Sequence, residues 1–306
     1  MAYYLGIDGG GSKTTCVVGD ESSVLASAVS GPSNIIRVGE ARARESLHDV
    51  VRKSCAAARI DSRRVHSACV GVAGAGREEV ANTVRRIIAE LIAGEVEVVG
   101  DMQIALQAAL GAGPGVVVIA GTGSIAYGRD VEGRTARAGG WGFAISDEGS
   151  AHWIGRTAVT ALLREADQCA DDQVAEKTSL LFRGMKSTWN LQSFEQLAGT
   201  ANRDPNFAAL MPAVLTAADS GDETARQVLR QAGKELAELA SIVVQKLFPQ
   251  GDGAIPLAMV GGVFRYAAIA REVFCDAVHK SDSRIEVNRE VVEPVAGALQ
   301  MARAAG

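Results

Sequence analysis

Two glycine-rich turns and a few carboxylates are the residues of this 306-residue chain that could do chemistry. The first turn, Gly9-Gly10-Gly11-Ser12-Lys13-Thr14, directly follows Asp8. Glycines let backbone N–H groups approach a phosphate closely, Ser12 and Thr14 add hydroxyl donors, and Lys13 adds charge. Asp8, at the end of an apolar strand, is suited to orient a hydrated Mg²⁺ beside phosphates. This is not a Walker loop, because Ser12 rather than glycine precedes Lys13. The β-branched run from Thr14 to Val18 then reads as a strand, where a Walker loop needs a helix. The dinucleotide pattern fails as well, since Thr14 stands where its last glycine belongs. A second turn, Gly121-Thr122-Gly123-Ser124, offers a similar nest after the apolar run VVVIA. Two such nests facing each other across a cleft would hold the phosphates of a nucleotide between them.

Three further stretches complete the set. Asp101 ends VEVVGD at the carboxyl end of an expected strand, where open α/β sheets place ligands. A lone carboxylate there suits a general base that takes a hydroxyl proton during phosphoryl transfer. It equally suits a helix N-cap, and the two roles are compatible. GGWGFAISDEGSAHWIG, residues 139–155, sets Gly140 and Trp141 before Asp147 and Glu148. Adjacent carboxylates beside an aromatic ring fit sugar recognition, with hydroxyls on the acids and the apolar sugar face on the indole. Acidic residues at a helix start explain the same letters equally well. His152 and Trp153, inside that helix, read as packing residues. Gly261-Gly262, after the strand IPLAMV, would let a flat base lie against backbone.

The elements that must position these groups repeat. Residues 3–30 read as a three-strand antiparallel meander, followed by a helix over about 40–58, a strand, a helix over about 78–92, a strand and a short helix to Leu110. After GAGPG the meander recurs, with Gly11-Ser12 and Gly123-Ser124 set 112 residues apart (123 − 11). A helical insertion, a strand into Gly261-Gly262, RIEVN and a final helix from Pro294 close the second copy. The order βββαβαβα predicts a mixed sheet covered by helices in each half.

Composition excludes several classes. With 47% hydrophobic and 22% charged residues the chain has a globular balance, and its net charge of −5 gives no basic footprint for nucleic acid or anionic lipid. The start lacks a signal-peptide pattern, and no apolar stretch approaches the roughly 18 residues of a membrane span. Of the five scattered cysteines, four lie in apolar or helical runs and read as buried thiols, as expected in a cytoplasmic protein.

Taken together these motifs resemble the sugar kinase/Hsp70/actin superfamily and, more narrowly, the BadF/BadG/BcrA/BcrD ATPase family, which includes N-acetylglucosamine kinase. GIDGGGSKT resembles the first phosphate motif, GTGS the second and VGGVF the adenosine motif, while GGWGFAISDEGSAHWIG resembles the GGWG…DEGSA…WI segment of N-acetylglucosamine kinases. The resemblance implies two duplicated RNase-H-like, actin-like ATPase domains of the α/β class, each with a mixed five-stranded sheet, separated by a nucleotide cleft. Their expected bounds are residues 1–113 joined by the helix 294–306, and 114–293. It implies ATP and Mg²⁺ as cofactors and a small amino sugar, most plainly N-acetylglucosamine, as the partner phosphorylated at its 6-hydroxyl. Dimers are common in the family.

Carried over by position, Asp101 would be the base and Asp8 would place the metal. Ser12 and Thr122, with the glycines of both turns, would touch phosphates. Asn34, within GPSN, would hold the sugar with Gly140, Asp147 and Glu148, and Ser124 and Ile125 would lie nearby. Two departures, Ile35-Ile36 after Asn34 and Phe143 after Trp141-Gly142, bear on the pocket walls and leave glucosamine and N-acetylmuramic acid as alternative substrates. A related activator ATPase that drives electrons into a reductase or dehydratase would need a suitably placed cysteine pair, which the chain lacks. A non-catalytic sugar sensor or filament former is disfavoured by the intact Asp8 and Asp101.

Overall fold

The computed structural model describes residues 2–169, 179–203, 205–249, 251 and 253–305. The chain divides into two compact units, Met1–Val117 with Val292–Gly306, and Val118–Val291.

In the first unit, β1 (Tyr3–Gly9), β2 (Thr14–Gly19) and β3 (Val24–Ser30) form the expected antiparallel meander. Helix α1 (Ile35–Ala58) follows. Its first turn is broken by Gly39 (φ 77°), so the continuous helix begins where the sequence pattern predicts, at Glu40. Then come β4 (Val65–Val72), α2 (Glu78–Ala89), β5 (Glu95–Val99) and α3 (Asp101–Leu110). The sheet order is β3-β2-β1-β4-β5, with β4 parallel to both β1 and β5.

Both faces of this sheet are covered, and strand alternation decides which residue meets which layer. Leu5 and Ile7 of β1 and Ala68, Val70 and Val72 of β4 join the core that also contains Leu47, Val50 and Val51 of α1 and Val84, Ile87 and Ile88 of α2. Tyr4 and Cys69 point the other way, toward Ile104 of α3 and Val295, Ala298, Leu299 and Ala302 of the last helix, α11 (Pro294–Ala305). Asp8 shares the parity of Tyr4, so the pleat sends it to the α3/α11 face. The two helices lie backbone to backbone: a Cβ on Gly297 would collide with the Ile104 carbonyl.

In the second unit, β6 (Gly115–Ala120), β7 (Ser124–Arg129) and β8 (Thr135–Gly139) make the second meander. Helices α4 (Ala151–Ala166), α5 (Leu180–Trp189), α6 (Phe194–Ala201), α7 (Met211–Asp219) and α8 (Glu223–Leu247) follow, and α8 packs on β7, β8 and α4. Then come β9 (Ile255–Val260), α9 (Gly262–Tyr266), α10 (Ala268–Ser281) and β10 (Ile285–Val292). The order β10-β9-β6-β7-β8 is that of the first sheet read backwards, as duplication requires.

Two expectations need adjustment. Cys16, Cys55 and Cys69 are buried, but Cys169 is exposed in the turn after the helix Ala151–Ala166, and Cys275, on the helix Ala268–Ser281, is only half-buried. Asp101 is not the last residue of a strand: β5 stops at Val99, and Asp101 opens α3 behind the cap residue Gly100.

Candidate functional site

The first unit gathers carboxylates. Asp8 stands across the ladder from Gly71 of β4, which in turn stands opposite Val99 of β5, two residues before Asp101. Asp101 begins α3, the helix on Asp8's own face of the sheet. The Met102 N–H donates to Asp101 Oδ1 (3.0 Å), and Gln103 Oε1 accepts from the Gly100 N–H (2.8 Å), which pins the start of the helix. Burial raises the Asp101 pKa, and its backbone hydrogen bonds oppose that rise. Asp8 is pushed up to about 7, first by burial and then by the charge of Asp101, with Glu293 adding to it and Lys13 opposing. Glu293, immediately before α11, was not legible as a site residue, since only the return of the last helix to this sheet brings it near Asp8.

The first turn is tied to the loop after β3. The Gly10 N–H donates to the Lys13 carbonyl (3.0 Å), and the Ser33 N–H donates to the Gly10 carbonyl (3.2 Å). Thr14, fully buried, has its hydroxyl 2.7 Å from both the Gly31 carbonyl and Ser33 Oγ, its single proton shared between these two acceptors. The one hydroxyl proton of Thr14 is thus engaged by the loop. Ser12 and Lys13 are the exposed residues of the turn. Gly9, Gly10 and Gly11 are not in the left-handed region. At Gly9 the demand for glycine is closeness, because a Cβ there would lie 2.7 Å from Ser33 Oγ. Asn34 caps α1 by accepting from the Ile36 N–H (3.1 Å), and its amide nitrogen makes no hydrogen bond among the described residues, so it keeps donors for a ligand.

The second unit gathers the other turn, the acidic segment and the Gly261 junction. The start of α4 is hydrogen-bonded to the turn: the Ala151 N–H donates to the Gly121 carbonyl (2.9 Å) and the His152 N–H to the Thr122 carbonyl (3.3 Å). Ser124 is buried and donates its hydroxyl to the Glu148 carbonyl (2.7 Å), which fastens the acidic segment. Thr14 and Ser124 are each the first residue of the second strand of a meander, and each bonds a carbonyl in the loop after the third. That equivalence is 110 residues (124 − 14), not the 112 of the glycine-serine pairs, because the first turn is longer. Ser12 therefore has no counterpart in Ser124.

Asp147 is buried and adopts φ 66°, a backbone state that a side chain tolerates at a cost and that glycine would adopt freely. Its carboxylate oxygen lies 2.8 Å from where a Cβ on Gly123 would stand. Glu148 accepts from the Ser146 hydroxyl (3.1 Å). Ile125 lies under Gly140, and the backbone of Gly261 passes against the Ala120 carbonyl at the end of β6. Trp141 is 68% exposed, with the Arg137 guanidinium 4.1 Å from its ring centroid. Phe143 stacks at 5.0 Å on His152, which packs in turn on Phe207 at 5.3 Å, as a packing role for His152 requires. Among the described residues no group of three or more His, Cys, Asp or Glu could hold a metal by protein ligands alone. No described helix is long and apolar enough to cross a membrane.

The family model of the BadF/BadG/BcrA/BcrD ATPases matches residues 5–302. The chain belongs to this ATPase family. Membership brings ATP use with it. A relative from Clostridium acetobutylicum, named N-acetylmuramic acid/N-acetylglucosamine kinase, is 32% identical over 99% of both chains. Another from Dictyostelium discoideum, named N-acetyl-D-glucosamine kinase, is 31% identical over 98% of this chain and 97% of its own. A solved structure from Chromobacterium violaceum, provisionally named an N-acetylglucosamine kinase, matches with a TM-score of 0.77 at 24% identity over 99% of both chains, which shows the shared fold. The duplicated actin-like ATPase fold expected from the sequence is thus the fold of this BadF-family chain.

Proposed function

We propose that this protein is an ATP-dependent kinase of N-acetylated amino sugars, transferring the γ-phosphoryl group to the 6-hydroxyl of N-acetylglucosamine. The observation that carries this is the near-complete match to two relatives named for that chemistry, one of them also for N-acetylmuramic acid. The residues on the page support it. Asp101 is the base: its raised pKa makes it a better proton acceptor than an ordinary carboxylate. Asp8, whose pKa is pushed up to about 7 by burial first and by the charge of Asp101 second, is a site a divalent cation would relieve, and Mg²⁺ is commonly held by one or two carboxylates with phosphates and water. Such an ion would neutralise charge on the phosphates.

In this reading Ser12, Lys13 and the glycines of the first turn, with Gly121, Thr122 and Gly123 of the second, contact ATP phosphates. Gly261 and Gly262 take the adenosine. Asn34, Gly140, Trp141, Asp147 and Glu148 orient the sugar, with Ile125 behind Gly140. Asp147 has the strongest structural argument, since its strained backbone would favour glycine unless the carboxylate were needed. The domains of the enzyme are residues 1–113 with 294–306, and 114–293. Phosphoryl transfer asks the protein chiefly for positioning and charge stabilisation, which such a set supplies.

The test is ADP release against N-acetylglucosamine, N-acetylmuramic acid, glucosamine, N-acetylmannosamine and glucose. An N-acetylated amino sugar is expected to stimulate turnover. ATP turnover indifferent to every sugar would overturn the reading.

A further inference from the structure

We propose that Arg137 reads a carboxylate carried by the sugar, so that the site takes an anionic amino sugar of the N-acetylmuramic acid class alongside neutral N-acetylglucosamine. This rests on the amino-sugar kinase reading and assigns it a specificity residue. Arg137 lies in β8, opposite Tyr127 of β7, two residues before the glycine pair that leads into Trp141.

Its only side-chain partner among the described residues is the Trp141 ring. Among the described residues no Asp or Glu forms an ion pair with this guanidinium. Arg134, three residues earlier, is bound by both Asp130 and Glu132. A second cation stands beside Arg137, since Lys246 donates from Nζ to its carbonyl (3.2 Å) and also has no acidic partner among the described residues. Two cations on neighbouring backbone, neither paired with an acid among the described residues, favour an anion nearby.

Geometry gives that anion a place. The guanidinium carbon lies over the indole, 4.1 Å from its centroid, so the N–H donors of its planar fork stand beside the ring and can serve a ligand there. A sugar on or beside the largely exposed Trp141 presents its substituents to that rim. N-acetylmuramic acid is N-acetylglucosamine with a lactyl ether on O3, and the lactyl carboxylate is ionised at neutral pH. It can accept a bidentate charge-assisted pair from Arg137. N-acetylglucosamine offers nothing equivalent, so toward that sugar Arg137 only steadies Trp141.

The experiment measures kcat and KM for N-acetylglucosamine, N-acetylmuramic acid and the neutral methyl ester of the latter, in wild type, Arg137→Gln and Arg137→Lys. Melting curves confirm that the variants fold. For Arg137→Gln, KM for N-acetylmuramic acid is expected to rise about 10- to 100-fold, the worth of a charge-assisted hydrogen bond. N-acetylglucosamine and the ester should change less than about 3-fold, within the reach of small positional effects. Arg137→Lys should keep part of the preference for the acid over its ester. Equal losses on all three sugars would overturn the inference, leaving Arg137 as a support for Trp141. So would a wild type that uses N-acetylglucosamine and ignores N-acetylmuramic acid. A wild type that uses no amino sugar overturns the kinase reading itself, and this inference with it.

Discussion

The two meanders share a strand order and a hydroxyl clip, and differ in what the clip holds. Thr14 fastens a loop that ends in Asn34 and a helix cap. Ser124 fastens Glu148, beside the strained Asp147 and the start of α4. Around the first turn stand carboxylates whose pKa values are raised by burial, with mutual repulsion adding to that of Asp8. Around the second, a carboxylate sits where a glycine is needed to let it approach. Duplication thus kept the fastening and changed the cargo, so that one copy came to hold charge and the other a shaped, acidic recess.

The sharpest way to break this comparison is at the second turn. Gly123→Ala places a methyl group 2.8 Å from the Asp147 carboxylate, whereas a Cβ at Gly121 meets nothing within 4 Å. Gly123→Ala should therefore lower kcat/KM for the sugar about 100-fold, the scale of a 1 Å misplacement. Gly121→Ala should have a much smaller effect on sugar use. Equal losses in the two variants would remove Asp147 from the argument.

At the first turn the expected signature is pH. Burial pushes the Asp8 pKa up to about 7 from an ordinary value of 3.8, so the folded protein binds the extra proton between these values. Stability is present below about pH 4, falls as pH rises through that window, and the penalty is complete above about 7. Asp8→Asn should then raise the melting temperature of the nucleotide-free protein at pH 8, show no gain near pH 4, and still abolish sugar phosphorylation. A gain that is the same at both pH values would place the effect elsewhere.

The smallest effects belong to the clips. Thr14→Val and Ser124→Ala each strand a carbonyl at a cost of about 1–2 kcal/mol, or roughly 2–8 °C in melting temperature. Thr14→Val should be the larger, since Thr14 has two partners. Thermal scans that rank them in reverse would weaken the equivalence of the two positions.

Strand order and the duplication were legible because alternation, glycine turns and β-branched runs are local signals. The register of the duplication was not. Gly-x-Gly-Ser matches in letters, yet Thr14 rather than Ser12 answers to Ser124, and only hydrogen bonds spanning 17 and 24 residues reveal it. Asp101 was legible as a carboxylate near a strand end, while its place as the first residue of a helix depended on where β5 stopped. Glu293 and Arg137 carried no sequence signal. One comes to Asp8 through the return of α11, and the other is marked only by the acid it lacks.

The central claim, that Asp101 activates a sugar hydroxyl, is tested most directly by N-acetylglucosamine-dependent ADP release in wild type and Asp101→Ala, with ATP affinity measured alongside. The expected result is sugar-stimulated turnover in the wild type, a loss of about 10²- to 10⁴-fold in kcat for the variant, and ATP affinity nearly unchanged. Sugar-dependent turnover that survives in Asp101→Ala would contradict the account.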